Sequence, residues 1–167
     1  MAFVPEDGSG LPNANSYTDL AFADSYFADR GNTEWIGTPE QKQGLLVQGT
    51  DYIESRWYGK FKSTPLVTEP LAQALQWPRV GLGMPVNLLK ACCEYALRAK
   101  AGALAPDPST GAGGYAVSKL KEKVGPIETE TEYAVTAGQQ PSIIKPYPQA
   151  DMLMKGLIAS TGNRVIR

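Results

Sequence analysis

The spacing of apolar residues changes character about two thirds of the way along this chain. Up to residue 104 they recur at three- and four-residue intervals. Beyond the stretch Ala105–Gly114, APDPSTGAGG, they alternate with charges. A period of 3.6 and a period of 2 cannot belong to one continuous element, so the chain must be divided there. The pattern predicts a mainly α fold: a small helical bundle over 1–104, a flexible linker over 105–116 and a β-ribbon arm over 117–135. An extended connection, a short helix and a C-terminal tail follow over 136–167.

Three helices are signposted in the first part. Thr18 and Asp19 open one that runs to about Arg30, with Leu20, Ala23 and Phe27 on its apolar face and Gly31 as its stop. Thr38-Pro39-Glu40-Gln41 is a capping-box sequence with proline at the first helical position. The helix it starts carries Leu45, Leu46, Tyr52, Ile53 and Trp57 and ends at Gly59. Gly49, in its middle, costs about 1 kcal/mol against alanine in an exposed helix; it is read as a point of close helix approach. Pro65, Pro70 and Pro78 forbid a long helix over 60–84, leaving room for one or two turns over Leu71–Trp77. A third helix is expected from Pro85 to about Ala103, with Leu89, Cys92, Cys93, Ala96 and Leu97 inward. Phe27, Tyr52, Ile53, Trp57, Trp77, Leu89 and Leu97 are the expected core, Trp77 plugging an open end of the bundle.

In the alternating part, Lys119, Lys121 and Lys123 share one face of a strand, and Glu128, Glu130 and Glu132 share one face of the next. Folding back at Gly125-Pro126 sets Lys123 across from Glu128, Lys121 across from Glu130 and Lys119 across from Glu132. Each such pair is worth about 0.2–1 kcal/mol, and a slip by one residue loses all three. A two-stranded ribbon is marginal by itself and leans on a body or a neighbouring chain. Near the end, Ala150–Ile158 carries Met152, Leu153, Leu157 and Ile158 as a short amphipathic helix. Arg164-Val165-Ile166-Arg167 is strand-prone, has nothing local to pack on, and suits addition to an exposed sheet edge.

Chemistry is scarce. The 167 residues hold no histidine, and 16 Lys+Arg stand against 17 Asp+Glu, a formal charge of -1. That removes imidazole bases, Ser-His-Asp and Cys-His arrangements, and imidazole zinc sites. The two cysteines, Cys92 and Cys93, are adjacent and read as core packing; they form no zinc ribbon and no disulfide framework. Gly81-Leu82-Gly83 and Gly111–Gly114 lack the Lys-Ser/Thr of a phosphate loop and read as turns. Asp51, Glu54 and Arg56 read as an exposed ion-paired helix face. No catalytic residue, metal or cofactor is expected, and no run approaches membrane-spanning length, so a protein of a reducing compartment that is not an enzyme is expected. Lys119, Lys121, Lys123, Tyr115 and Tyr133 put charge and aromatics in one segment, as single-strand binders do, but the facing glutamates cancel the field.

Several blocks together resemble a known phage family: Asn15-Ser16-Tyr17, the run Ala23–Gly31, Thr50-Asp51-Tyr52-Ile53, Gln73–Arg79, Glu94–Ala99 and Glu122–Glu128. They are similar to the small tailed-phage proteins labelled DnaT-like single-stranded-DNA-binding proteins, a group that looks like the head–tail connector adaptors. The resemblance spans about residues 13 to 158. It implies a helical body, no catalysis, and a ring of copies, a dodecamer, between the portal protein and a tail-side stopper or tail-terminator protein. The location implied is the virion neck, with assembly in the host cytoplasm. By analogy with adaptor tails, Arg164, Val165, Ile166 and Arg167 would dock into the portal, and the lysine–glutamate ribbon would lie between subunits. The alternative is a single-stranded-DNA-binding or replication accessory protein.

Overall fold

The computed structural model describes residues 2–62, 64–68, 72–106, 117–123, 128–133 and 145–159. They form four helices and one antiparallel ribbon: α1 (Leu20–Ala28), α2 (Pro39–Trp57), α3 (Val86–Ala99), β1 (Val117–Lys123), β2 (Glu128–Tyr133) and α4 (Pro148–Met154). The chain divides into two compact units, residues 1–104 with 146–167 and residues 105–145.

Local chemistry accounts for the helix ends. In α1 the cap is Asp19 rather than Thr18, its carboxylate accepting from the Phe22 amide at 2.7 Å. Thr18 is instead buried with Ser16, whose hydroxyl donates to the Thr18 carbonyl. Gly31 takes a left-handed conformation (φ 59°), which closes α1 as its sequence position requires. The capping box of α2 is complete: Gln41 N donates to Thr38 Oγ1 and Thr38 N donates to Gln41 Oε1. α3 has no side-chain cap and no acidic residue in its first turn. It ends at Ala99, four residues short of the expected end, because the chain turns through Gly102 at φ 147°.

α3 is the centre of the body, packing on α2 along one side and on α4 along another. Leu88, Ala91, Cys92, Cys93, Tyr95 and Ala96 are fully buried, whereas Leu89 and Leu97 lie at the core's margin. The buried face is therefore wider than a single stripe, because two helices cover it. Gly49 of α2 meets α3 at backbone distance. A Cβ there would lie 2.8 Å from the Cys92 carbonyl oxygen and 3.0 Å from the Ala96 nitrogen. Neither atom can swing aside, so Gly49→Ala must push the two helices apart. Its expected cost is about 1–3 kcal/mol of overpacking, against about 1 kcal/mol of helix propensity gained. Chemical denaturation of the variant checks this, with a loss of stability expected.

The other expected core residues are placed as follows. Phe27, Tyr52, Ile53 and Trp77 are buried, and Trp57 is partly buried against the core. Tyr17, Trp35 and Tyr147, which the spacing did not single out, are buried with them. No helical turn forms over 72–77; this loop is held instead by Gln73, whose amide donates to the carbonyls of Leu75 and Pro78. α4 begins at Pro148 and stops at Met154, short of the expected Ile158. Leu157–Ala159 turns away to pair with Lys60–Lys62, through Lys62 N to Leu157 O at 3.1 Å and Ala159 N to Lys60 O at 2.9 Å. The apolar spacing of Leu157 and Ile158 fits a helix as well as a bridge, and tertiary pairing decided it.

In the second unit β1 and β2 pair with the register that the charge alternation predicts: Lys119 opposite Glu132, Lys121 opposite Glu130, Lys123 opposite Glu128. A register irregularity falls between Val117 and Lys119. The turn at Gly125-Pro126, the linker glycines and the tail from Ser160 to Arg167 lie outside the described residues.

Candidate functional site

The polar chemistry of the body is concentrated where α4 returns onto α2 and α3. Asp151 of α4 accepts from three donors: Arg56 Nη2 at 2.8 Å, the Tyr95 hydroxyl at 2.6 Å and the Tyr147 amide at 3.1 Å. Arg56 also donates to the Tyr52 hydroxyl at 2.7 Å. Above this network Tyr52, Tyr95 and Tyr147 pack edge-on or tilted, with ring centroids 4.9 to 6.0 Å apart. Glu94 is buried in α3 yet fully bonded, accepting from the Tyr26 hydroxyl, from Arg98 and from the Gln149 amide. Burial, then the bond to Asp151, pushes the Tyr95 hydroxyl far above its usual range. Burial acts in the same direction on Tyr26, where the bond to Glu94 comes second. Both stay protonated and donate. The cluster is a clamp between helices.

A half-buried carboxylate corrects the reading of Asp51, Glu54 and Arg56 as one exposed ion-paired face: Asp51 is exposed, but Glu54 and Arg56 are partly covered. Glu54 accepts from the Tyr17 hydroxyl, and from the Gln76 amide at 3.2 Å. Arg56 is committed to Asp151 instead. The spacing was right for a helix face but could not show that the Gln76 loop and Tyr17 cover Glu54. Burial raises the Glu54 pKa, outweighing the bonds from Tyr17 and Gln76 that lower it. A carboxyl with a raised folded pKa keeps its proton longer in the folded state. Its contribution to stability is therefore full below about pH 4.5, the ordinary value, and falls as pH rises through the folded value. Melting followed from pH 4 to 8 should show the parent losing stability relative to Glu54→Gln as pH rises, with no relative change if burial does not govern this group.

Burial disfavours the thiolate form of both cysteines. Burial raises Cys92 to about 11, with Thr50 Oγ1 3.3 Å from its sulfur, and pushes Cys93 higher. Among the described residues there is no cluster of three or more metal-ligating side chains, and no helix is long and apolar enough to cross a membrane.

Several cations of the body are engaged by protein oxygens, while Lys60, Lys62 and Lys155 are exposed. Lys42 pairs with Asp24, Arg56 with Asp151 and Arg98 with Glu94. Arg79 donates to the carbonyls of Lys62 and Thr64 and lies 5.5 Å from the Phe61 and Trp77 rings. Arg30 donates to the Tyr26 carbonyl, and Lys100 to that of Ile36. In the ribbon the lysine positions face glutamate positions across the two strands. The predicted docking residues Arg164, Val165, Ile166 and Arg167 lie outside the described residues. Sequence reasoning missed Glu94, Gln149 and Asp151; the available signal was a charged residue set between Cys93 and Tyr95 on the inward face of the third helix.

Such a fold, with a tyrosine-rich helical body, polar clusters engaged within it, and a charge-alternating ribbon between α3 and α4 in sequence, defines a small, mainly α-helical domain with a separate two-stranded unit. The chain belongs to the family described as "Putative DnaT-like ssDNA binding protein", whose model matches residues 1–167. No curated protein and no solved structure matches the chain.

Proposed function

We propose that this protein is a structural adaptor of a tailed phage, forming a ring between the portal and the tail-side neck proteins. The observation that carries the reading is the ribbon. It is a two-stranded unit of lysine and glutamate positions, inserted between two helices of the body. Two strands alone are marginal in water and gain stability when another surface covers them. A ring supplies that surface from the next copy. The engagement of the body's arginines by protein oxygens supports a scaffold over a phosphate-binding role. Salt bridges and carbonyl contacts already use these donors.

A second reading, a single-stranded-DNA-binding protein, is favoured by the description of the family itself. The two differ in how they respond to salt. Binding through phosphates weakens steeply as salt rises, by roughly 0.7 counterions per phosphate contacted on a single strand. Titrating a fluorescent oligo(dT) with the protein at several salt concentrations should show almost no binding and no slope. Tight binding with a steep slope would put the family's description in the adaptor's place.

The ribbon makes a further expectation. Lys121→Glu sets two acidic groups opposite each other and should weaken assembly, while adding Glu130→Lys should restore part of it. Sedimentation of the two variants beside the parent checks this, and absence of rescue would count against the pairing's role in assembly.

A further inference from the structure

The two ends of α3 are unlike, and each carries exposed apolar surface. At its start, residues 80–86 read Val-Gly-Leu-Gly-Met-Pro-Val, seven in succession without a charge. Val80, Leu82 and Val86 are 53 %, 43 % and 55 % exposed. This knuckle is held in shape: Val80 N donates to the Pro65 carbonyl, and the amides of Leu82 and Gly83 to that of Arg79, each at 3.0 Å. A preformed apolar surface loses little freedom on being covered, and runs of exposed apolar residues mark contact sites. The helix that follows has neither a side-chain cap nor an acid in its first turn, so its electropositive end is unanswered. Asp7, one residue from the Gly8 that approaches Met84, is turned onto the amide and hydroxyl of Ser9.

At the other end, Lys100 just beyond α3 donates to the Ile36 carbonyl at 2.9 Å and fixes the loop that carries it. Ile36 is 69 % exposed, and Glu34 and Glu40 on either side of it are exposed as well. The 14 residues of α3 separate the two ends by about 21 Å. One end is apolar with an electropositive helix start; the other is apolar with two acids and the Lys100 ammonium, which leaves it net negative. Two unlike, complementary patches at opposite ends of one strut suit head-to-tail contact, which closes into a ring or runs on as a filament.

We propose that copies of this chain associate head to tail, Leu82 and Val86 of one copy covering Ile36 of the next, with Glu34 facing the uncapped start of the neighbour's α3. The proposal rests on the ring reading above and supplies it with a contact. The test is directional cross-linking. Ile36→Cys and Val86→Cys proteins are prepared separately, then oxidised mildly alone and mixed; both positions are exposed, and melting curves verify the fold. Disulfide-linked dimers are expected in the mixture in excess over either protein alone, since only the mixture sets the two thiols across one contact. Light scattering of Leu82→Glu should show association weakened about tenfold or more, the scale of a central apolar contact. Oligomers that form normally with no preferential cross-link, and that ignore Leu82→Glu, would overturn this contact while leaving the ring standing. Binding of a different protein at the knuckle, with self-association unaffected, would overturn it too. A chain that stays monomeric at every concentration and on portal-containing heads would overturn both the contact and the ring.

Discussion

Replacing Trp77 by alanine should cost about 3–5 kcal/mol of stability, the largest single-residue effect expected in this protein. Its side chain is fully buried, with the Phe61 ring edge-on at 5.8 Å and the Arg79 guanidinium 5.5 Å from its ring centre. Truncation would leave a cavity that rigid neighbours cannot fill. Phe61 is fixed by the bridge to Ile158, and Arg79 by its bonds to the Lys62 and Thr64 carbonyls. The damage should therefore reach the Lys60–Lys62 pairing with Leu157–Ala159 as well as the loop. Urea denaturation followed by circular dichroism measures it; a variant that unfolds with the parent's midpoint would show that the ring at 77 is not structural.

Asp151→Ala is expected to be nearly as damaging, by about 3–4 kcal/mol. The change removes one acceptor and strands three donors, and breaking one partner out of a largely buried ion pair leaves an uncompensated charge. Arg56 and Asp151 side chains are only 12 % and 19 % exposed, which keeps solvent screening modest. Asp151→Asn keeps an acceptor oxygen and should recover part of the loss. Because Asp151 is the link that holds α4 to both α2 and α3, amide exchange should rise first in residues 148–159 rather than in α2. Uniform exchange throughout the body would argue that α4 is held by its apolar face alone.

The parts of the fold that were legible are those fixed by neighbours in sequence. Thr38-Pro39-Glu40-Gln41 dictates its own cap, because every atom of the capping box lies within four residues. Gly49 was legible for a different reason: a glycine in an otherwise good helix is costly unless another backbone needs its space, and α3 does. The ribbon register followed from charge order alone, since only one alignment opposes three lysines to three glutamates. What escaped was set by partners distant in the chain. Glu54 reads as a surface acid until Tyr17 and the Gln76 loop close over it, 37 and 22 residues away. The α4 boundary escaped for the same reason, its last turns being exchanged for a pairing with residues 60–62. Glu94 and Asp151 are polar groups that the core tolerates because tyrosine hydroxyls reach them, and no local pattern announces such a partner.

A ring of copies at the neck of a virion can be imaged directly. Heads assembled without this protein, carrying portals, would be mixed with it and imaged at the portal vertex by electron microscopy. A ring of added density beneath the portal is expected, one copy per repeat of the ring, lost when residues 161–167 are deleted although the truncated protein melts like the parent. Portal vertices that stay bare in the presence of folded protein, with the protein found instead on single-stranded DNA, would contradict it.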